Sequence, residues 1–530
     1  MTRILNRLYA ISTYFGVLDT GWQRPCWALT AGVMAAAAMP PVFAVVFLIP
    51  GFVIFFKLLE AASSGRRAFV VGWWFGVGHF AAGLYWVSYA FMVEADVYGA
   101  LAPVAVVMMA AGMALFTGLF AWMAAKSFKY IIASAARVFV FAALWVVVEW
   151  IRSWAFTGFP WNLMGTVWSF SDVMMQGASL FSVYGLSLLT VFMATAPVLI
   201  IKPGPVFRDK AVVAFAALSG LALFAFGYVR LPVMQSEFAN ATRLRLVQPN
   251  VAQKLKWKRE LRARHVRQLI DLSLSPYQGK AADIVIWPEA AVPYDLANTG
   301  GLKQAIGTAA PPGGVVLLGA PKGSPRGQRP FRIWNSLFAV NPDGRVAATY
   351  DKAHLVPFGE YLPFRNIIGD RFGKLTAGRT DFTPGPGPKT VKLKNRPAFS
   401  PLICYEVIFP DAVVDKTNRP EWLLNLTNDG WFGLSAGPYQ HLAAARLRAV
   451  EQGLPLIRVA NTGVSVATDS YGRITGQIGL GEQGVLDVDL PPKLKTLTLY
   501  ARFGNVVPAV LVFVFFALGG LLGRTPPIKT

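Results

Sequence analysis

The chain has 530 residues, of which 54% are hydrophobic and only 15% charged, and its mean hydropathy is +0.45. Soluble domains carry roughly 25% charged residues, so a wholly soluble protein is excluded. The net charge of +22 raises nucleic acid as a partner. No zinc-ligand spacing, phosphate loop or glycine-rich dinucleotide fingerprint supports that reading, and much of the charge lies in short loops between apolar runs.

The long apolar runs fall in residues 1–235 and 503–530, where the tail follows a last run at 503–523; residues 236–502 read as an ordinary soluble domain. Its basic balance suits an anionic lipid surface. A bilayer needs roughly 20 apolar residues per helix. Spans are predicted at 26–39, 42–59 (with Pro50 as a kink), 68–92, 98–125 and 131–151. Further spans are predicted at 174–201, 211–230 and 505–523. The first is short, but no small-residue cleavage site follows it, so it reads as an anchor and not as a signal peptide. The aromatic-rich segment Trp154 to Phe170 reads as interfacial, because such rings favour the headgroup zone.

Arg3, Arg7 and Arg24 precede the first span, and Lys57, Arg66 and Arg67 follow the second. Lys126 and Lys129 follow the fourth, Lys202, Arg208 and Lys210 the sixth, and Arg524 and Lys529 the last. The opposite loops hold only Glu94, Asp96 or the isolated Arg152. Cytoplasmic loops are the ones enriched in Lys and Arg. Both termini are therefore expected in the cytoplasm and the large domain outside, in the periplasm of a bacterial inner membrane. Within the spans His79, Glu149 and Arg152 are ionisable. They are either part of a transport pathway or, for Glu149 and Arg152 three residues apart on one helix, an ion pair; the pair is expected.

There are two cysteines. Cys26 opens the first span on the cytoplasmic side and Cys404 lies in the external domain, so they cannot pair. Cys404 is thus a lone thiol in an oxidising compartment, either buried and inert or reactive.

In the soluble domain, 242–250 alternates as a strand, and Lys254 to Leu274 is spaced as an amphipathic helix. Ala282–Trp287 and Gly314–Gly319 are short apolar strands. Trp334–Val340 and Arg345–Tyr350 flank Asn341-Pro342-Asp343-Gly344, a hairpin signal. Pro401–Cys404 and Trp422–Leu426 are strands, Tyr439–Gln452 a helix stopped by Gly453, and Val464–Thr468 with Arg473–Ile478 a second hairpin. The domain is mixed α/β. Three strand ends deliver Glu289, Lys352 and Cys404. A thiol must lose its proton to attack a carbonyl, and a carboxylate can take it. A neighbouring ammonium lowers a thiol pKa and stabilises a developing oxyanion. Each residue alone reads equally well as a solvated strand end.

Three segments carry a resemblance: Ile286-Trp287-Pro288-Glu289, Tyr350-Asp351-Lys352-Ala353-His354-Leu355 and Leu402-Ile403-Cys404-Tyr405-Glu406. They resemble the Glu, Lys and Cys motifs of the nitrilase (carbon–nitrogen hydrolase) superfamily. The run from Val356 to Phe364, Val247-Gln248-Pro249-Asn250 and Asn428-Asp429-Gly430-Trp431-Phe432-Gly433 narrow it. With about eight spans they are similar to the apolipoprotein N-acyltransferase family. The resemblance implies a membrane α-helical bundle plus a nitrilase-like α-β-β-α sandwich over about 240–495. It implies Glu289 as general base, Lys352 as oxyanion stabiliser and Cys404 as nucleophile. Glu360, Tyr405, Glu406, Trp257 and Trp431 are implied as supporting or substrate-binding residues. It also implies acyl transfer from a phospholipid, through a cysteine thioester, to the α-amine of a diacylglyceryl-cysteine apolipoprotein. Neither cofactor nor metal is needed, and the bilayer is a partner. Leu355 to Phe364 and Trp431-Phe432 are candidate apolar arms or, equally, loops covering the core. The stretches Pro321–Pro330 and Gly369–Pro388 fit no motif. A membrane-tethered amidase that hydrolyses soluble amides, and a transporter or receptor with a degenerate nitrilase-like sensor, are the competing readings.

Overall fold

The computed structural model describes residues 23–201, 204–234, 241–277, 279–363 and 380–524. The expectations placed on Arg3, Arg7, Lys202, Phe364, Lys529 and most of Gly369–Pro388 lie outside the described residues. The chain forms two compact units. One comprises Met1–Ser88, Ala100–Pro232 and Thr498–Thr530, the other Tyr89–Gly99 and Val233–Leu497.

The first unit is helical: α1 (Gln23–Ala37), α2 (Leu48–Glu60), α3 (Gly65–Gly83), α4 (Ala102–Phe128), α5 (Ser134–Arg152), α6 (Ala178–Thr195), α7 (Phe207–Arg230) and a final helix, Val506–Arg524. Among the described residues, five helical stretches are long and apolar enough to cross a membrane: Ala95–Phe128, Ser134–Arg152, Met174–Ile201, Phe207–Arg230 and Val506–Gly523. At the first three predicted spans the helices are shorter or more polar. Helices α3 and α4 approach so closely at Gly76 that a Cβ there would lie 2.0 Å from Thr117 Oγ1. Small residues permit this kind of approach between apolar helices. The centre is aromatic, with Phe55 stacked on Phe75 at 4.1 Å and Phe120 edge-on to Phe141 at 4.8 Å.

Four expectations change here. Pro50 does not kink α2 but sits in its first turn, where its missing N–H has no intrahelical partner to lose. The predicted 68–92 span ends at Gly83, and a separate short helix follows at Val87–Met92. Trp154, Phe156 and Phe170 are exposed, but Trp161, Leu163, Met164 and Val167 are buried, so the middle of that aromatic segment is packed inside. Glu149 accepts from Trp145 Nε1 at 2.9 Å and Met164 N at 2.8 Å. Arg152 donates instead to the carbonyls of Phe159 and Trp161, both at 2.7 Å. The turn after α5 brings two backbone carbonyls within reach of the guanidinium's fork of N–H donors, and among the described residues no hydrogen bond joins Arg152 to Glu149.

The second unit is a two-sheet sandwich. The strands are β1 (Arg243–Gln248), β2 (Ile284–Ile286), β3 (Val315–Gly323), β4 (Ile333–Val340), β5 (Val346–Asp351), β6 (Phe399–Ile403), β7 (Trp422–Thr427), β8 (Leu456–Ala460), β9 (Ser465–Thr468), β10 (Ile474–Ile478) and β11 (Gly484–Asp489). One sheet has the order β11-β1-β2-β3-β4-β5, the other β10-β9-β8-β7-β6. Strands β1, β2 and β3 are parallel, as are β6, β7 and β8, with antiparallel hairpins at the edges. Residues of both sheets, including Leu244, Ile286, Leu317, Leu337, Trp422, Leu424 and Val459, share one buried core between them. Outside the first sheet, α8 (Arg262–Ser273) and α9 (Gly300–Gly307) bury Val266, Leu269 and Ile306 against Val285, Trp287 and Phe338. Outside the second lies α10 (Gly437–Gln452), ended by Gly453 at φ +63. The layers are therefore α-β-β-α. Parallel strands buried on both faces read as continuous apolar runs, which explains why they were legible.

The amphipathic helix expected over Lys254–Leu274 is broken. A short helix ends at Lys256, Trp257 caps it, and α8 begins only at Arg262. Part of the unassigned stretch Pro321–Pro330 continues β3, paired with β4 as far as Gly323 opposite Ile333.

Candidate active site

Strand β5 runs in the same direction as β2, because two antiparallel steps separate it from the parallel β3. Glu289, just past β2, and Lys352, just past β5, therefore leave the same edge of one sheet. Cys404 leaves the end of β6 in the other. Open α/β sheets place ligands at such strand ends.

The turn after β2 is tight. Ala290 has φ +47, and a Cβ on Gly319 of β3 would lie 2.5 Å from Ala290 N, so only glycine admits the Glu289 turn there. Glu289 Oε1 accepts from Asn335 Nδ2 at 2.8 Å and lies 3.4 Å from Lys352 Nζ. Lys352 is 1% exposed and pairs with Glu360 Oε2 at 2.8 Å. Asn335 Nδ2 also donates to Glu360 Oε1 at 2.8 Å, which ties the two carboxylates together across the lysine. Burial works against the Lys352 charge, but Glu360 and Glu289 outweigh it and hold the ammonium above its ordinary range. This is a cation that stays charged throughout.

Cys404 opens a 3-10 turn, Cys404–Ile408, and has φ +52. A non-glycine residue in the left-handed region costs of order 1 kcal/mol or more and persists only where its surroundings hold it. Burial pushes the thiol pKa up and Glu289 adds to the rise, against the pull of Lys352. The resting group is a neutral thiol, so a thiolate forms only as its proton is taken. Below a thiol's pKa its thiolate fraction grows about tenfold per pH unit. Iodoacetamide alkylation of Cys404 is therefore expected to accelerate with that slope between about pH 6 and pH 8. A plateau inside that window would mean a preformed thiolate.

Glu406 is the strut between the two motifs. Its Oε1 accepts from Tyr350 OH at 2.8 Å, Ala353 N at 2.7 Å and His354 N at 3.2 Å, and its Oε2 from Ile403 N at 2.7 Å. One buried carboxylate thus joins the backbone after Lys352 to the backbone before Cys404. Burial raises its pKa, an effect its donors oppose. Tyr405 is buried against His354 and Phe409, at ring separations of 5.6 and 5.2 Å.

The structure thus brings together Glu289, Lys352, Glu360, Cys404 and Glu406. Trp257 and Trp431 are half-buried at the helix cap and in the turn after β7. Among the described residues, no hydrogen bond, ion pair or ring contact joins either to Glu289, Lys352 or Cys404. Of the two candidate arms, Phe358 has φ +62 and is exposed, whereas Phe432 packs edge-on to His441 at 6.0 Å. Two members were missed. Asn335 reads as an ordinary strand residue; a polar side chain inside an apolar strand was its only signal. Lys256 is 3% exposed, and its Nζ donates to the Glu289 carbonyl at 3.1 Å. Burial pushes its pKa down to about 8. It stood in a run of basic residues with nothing to single it out.

Residues 31–196 match the model of the apolipoprotein N-acyltransferase N-terminal domain, and residues 243–498 that of carbon-nitrogen hydrolases. An apolipoprotein N-acyltransferase of Rhodopseudomonas palustris is 41% identical, over 96% of this chain and 97% of its own. Those of Bradyrhizobium diazoefficiens and Caulobacter vibrioides are each 39% identical, over 94% and 93% of this chain and the same shares of their own. A solved amidase mutant from Nesterenkonia sp. AN1 aligns at 19% identity, with a TM-score of 0.36, over 52% of this chain and 97% of that one. By its whole-length relatives, the chain belongs to the apolipoprotein N-acyltransferase family.

Proposed function

We propose that this protein N-acylates apolipoproteins, with Cys404 as acyl carrier, Glu289 as general base and Lys352 as the cation that stabilises the tetrahedral intermediates. The observation that carries this reading is the buried cluster of Glu289, Lys352, Glu360 and Asn335, whose charges act on a neutral thiol at a strained strand end. In the first step the Cys404 proton passes to Glu289 as sulfur bonds to the ester carbonyl of a phospholipid. The C–O bond then breaks, the proton goes to the leaving alkoxide, and a lysophospholipid departs. In the second, the α-amine of a diacylglyceryl-cysteine attacks the thioester, the C–S bond breaks, and an amine proton returns the thiol through Glu289. An ester donates readily to a thiolate, and a thioester to an amine. Fixed cationic stabilisation of such intermediates is commonly worth about 3 kcal/mol.

Both substrates are lipids, which accounts for a helical unit with apolar helices able to span a membrane. The alternation of Lys and Arg supports an inner-membrane protein with both termini cytoplasmic and the catalytic unit periplasmic. The test uses full-length protein, a phospholipid labelled in one acyl chain, and a synthetic diacylglyceryl-cysteine peptide with a free amine. The label is expected first on the protein as a hydroxylamine-sensitive adduct, and then on the peptide as a hydroxylamine-resistant amide. Release of the label as free fatty acid, with none on the peptide amine, would establish hydrolysis and overturn the transferase reading.

A further inference from the structure

Against the Cys404 backbone, on the second sheet and α10, the mechanism leaves a buried polar cluster without a task. His441 of α10 is fully buried, and its Nε2 lies 3.1 Å from the carbonyl oxygen of Cys404. A carbonyl can only accept, so Nε2 carries the hydrogen whatever the state of Nδ1. At the other side of the ring, Nδ1 is 2.9 Å from Asp429 Oδ1 and 3.1 Å from Arg458 Nη2. Arg458, on β8, also donates to Asp429 Oδ2 at 2.6 Å and to Asn425 Oδ1. Asn425 in turn donates through Nδ2 to the carbonyls of Leu402 at 3.0 Å and Cys404 at 3.4 Å. Thr427 Oγ1 donates to Asp429 Oδ1 at 2.9 Å. Asn425, Thr427, His441 and Arg458 are all fully buried, and Asp429 nearly so.

Burying an arginine, a carboxylate and an imidazole together is costly unless the charges and hydrogen bonds are well matched. Two of the cluster's donors, His441 Nε2 and Asn425 Nδ2, converge on the carbonyl of the residue whose φ is +52, and His441 makes the shorter bond. That carbonyl's direction is set by the ψ of Cys404. One residue earlier, the peptide between Leu402 and Ile403 is held from both sides, its carbonyl by Asn425 Nδ2 and its N–H by Glu406 Oε2. With that peptide and the Cys404 carbonyl both anchored, relaxation of Cys404 toward the right-handed region would strain or break these bonds.

We propose that His441, oriented by Asp429 and Arg458, is a positioning residue for the nucleophile. Its Nε2–H holds the Cys404 carbonyl, and so keeps the backbone in the conformation from which the thiol meets the charges of Glu289 and Lys352. Burial and the Arg458 guanidinium pull the ring's pKa down while Asp429 opposes them, and Nε2 donates to the carbonyl in either state of Nδ1. The inference rests on Cys404 being the nucleophile, but not on the identity of the acyl donor.

Two isosteres separate positioning from mere packing. Glutamine at 441 places an amide N–H near where Nε2 stands; asparagine places one near Nδ1, short of the Cys404 carbonyl. In full-length protein, His441→Asn is expected to slow iodoacetamide alkylation of Cys404 by about tenfold or more, as a displaced reacting group does. His441→Gln should stay close to the wild-type rate, with both variants melting at similar temperatures. Equal rates for the two variants, whether both fast or both slow, would overturn the proposal. Should neither variant fold, wild-type protein labelled with 15N-histidine decides. A slowly exchanging Nε2–H signal that shifts when Cys404 is alkylated supports the assignment, and the absence of such a signal overturns it. If wild type takes up no acyl label from phospholipid, the transferase reading fails while the alkylation comparison still stands.

Discussion

Full-length protein carrying Cys404→Ala is expected to form no hydroxylamine-sensitive adduct from labelled phospholipid, and to transfer nothing to a lipidated peptide. The loss should be complete and not partial, because no second thiol stands in the catalytic unit: the other cysteine, Cys26, lies in α1 of the helical unit. The fold should survive. A buried free cysteine behaves as a small hydrophobe, and its thiol is neutral at rest, so its removal strands no charge. The main cost is a cavity about one sulfur atom in size, on the order of 1 kcal/mol. An unchanged melting temperature with no adduct assigns the sulfur to chemistry. A labelled Cys404→Ala protein would withdraw Cys404 as acyl carrier.

Glu289→Gln is expected to be nearly as severe, and for a different reason. Glutamine can keep an oxygen where Oε1 now accepts from Asn335 and faces Lys352, so the geometry of the cluster should persist. What disappears is the capacity to take a proton, and general-base catalysis commonly contributes about 10²–10⁴-fold. The raised thiol pKa makes that capacity essential, since burial and nearby carboxylates keep the sulfur protonated until a base acts. Acyl-enzyme formation in single turnover should fall by about that factor. Alkylation by iodoacetamide, which needs only solvent-derived thiolate, should fall far less or even rise as one repelling carboxylate is removed. Equal losses in both measurements would mean that Glu289 shapes the site and does not serve as its base.

How much of this was legible depends on where each residue's role comes from. Glu289, Lys352 and Cys404 each follow an apolar strand that is buried on both faces, and such strands announce their own ends. The hairpins at Asn341–Gly344 and Asp469–Gly472 were legible because turn chemistry is local. Strands β8 and β11 were missed. The first is five residues with Arg458 at its centre, and the second opens on a glycine and carries two aspartates, residue types depleted in strands. The break at Trp257 was invisible to helical periodicity, and beside it lies a long-range contact, Lys256 Nζ on the Glu289 carbonyl, that the local pattern does not carry.

Sequence alone determined the division into apolar and soluble parts, the three strand-end residues and the family. These follow from composition and from patterns a few residues long. The resemblance already implied Glu360 and Glu406 as supporting residues; only the tertiary structure decided what they bind, and that Asn335 and His441 join them. Asn335 binds both carboxylates, Glu406 bridges two motifs, and His441 reaches the Cys404 carbonyl from a helix packed on the second sheet. Most of their partners are 25 to 56 positions away, and a buried donor has a role only once packing has chosen the acceptor it faces.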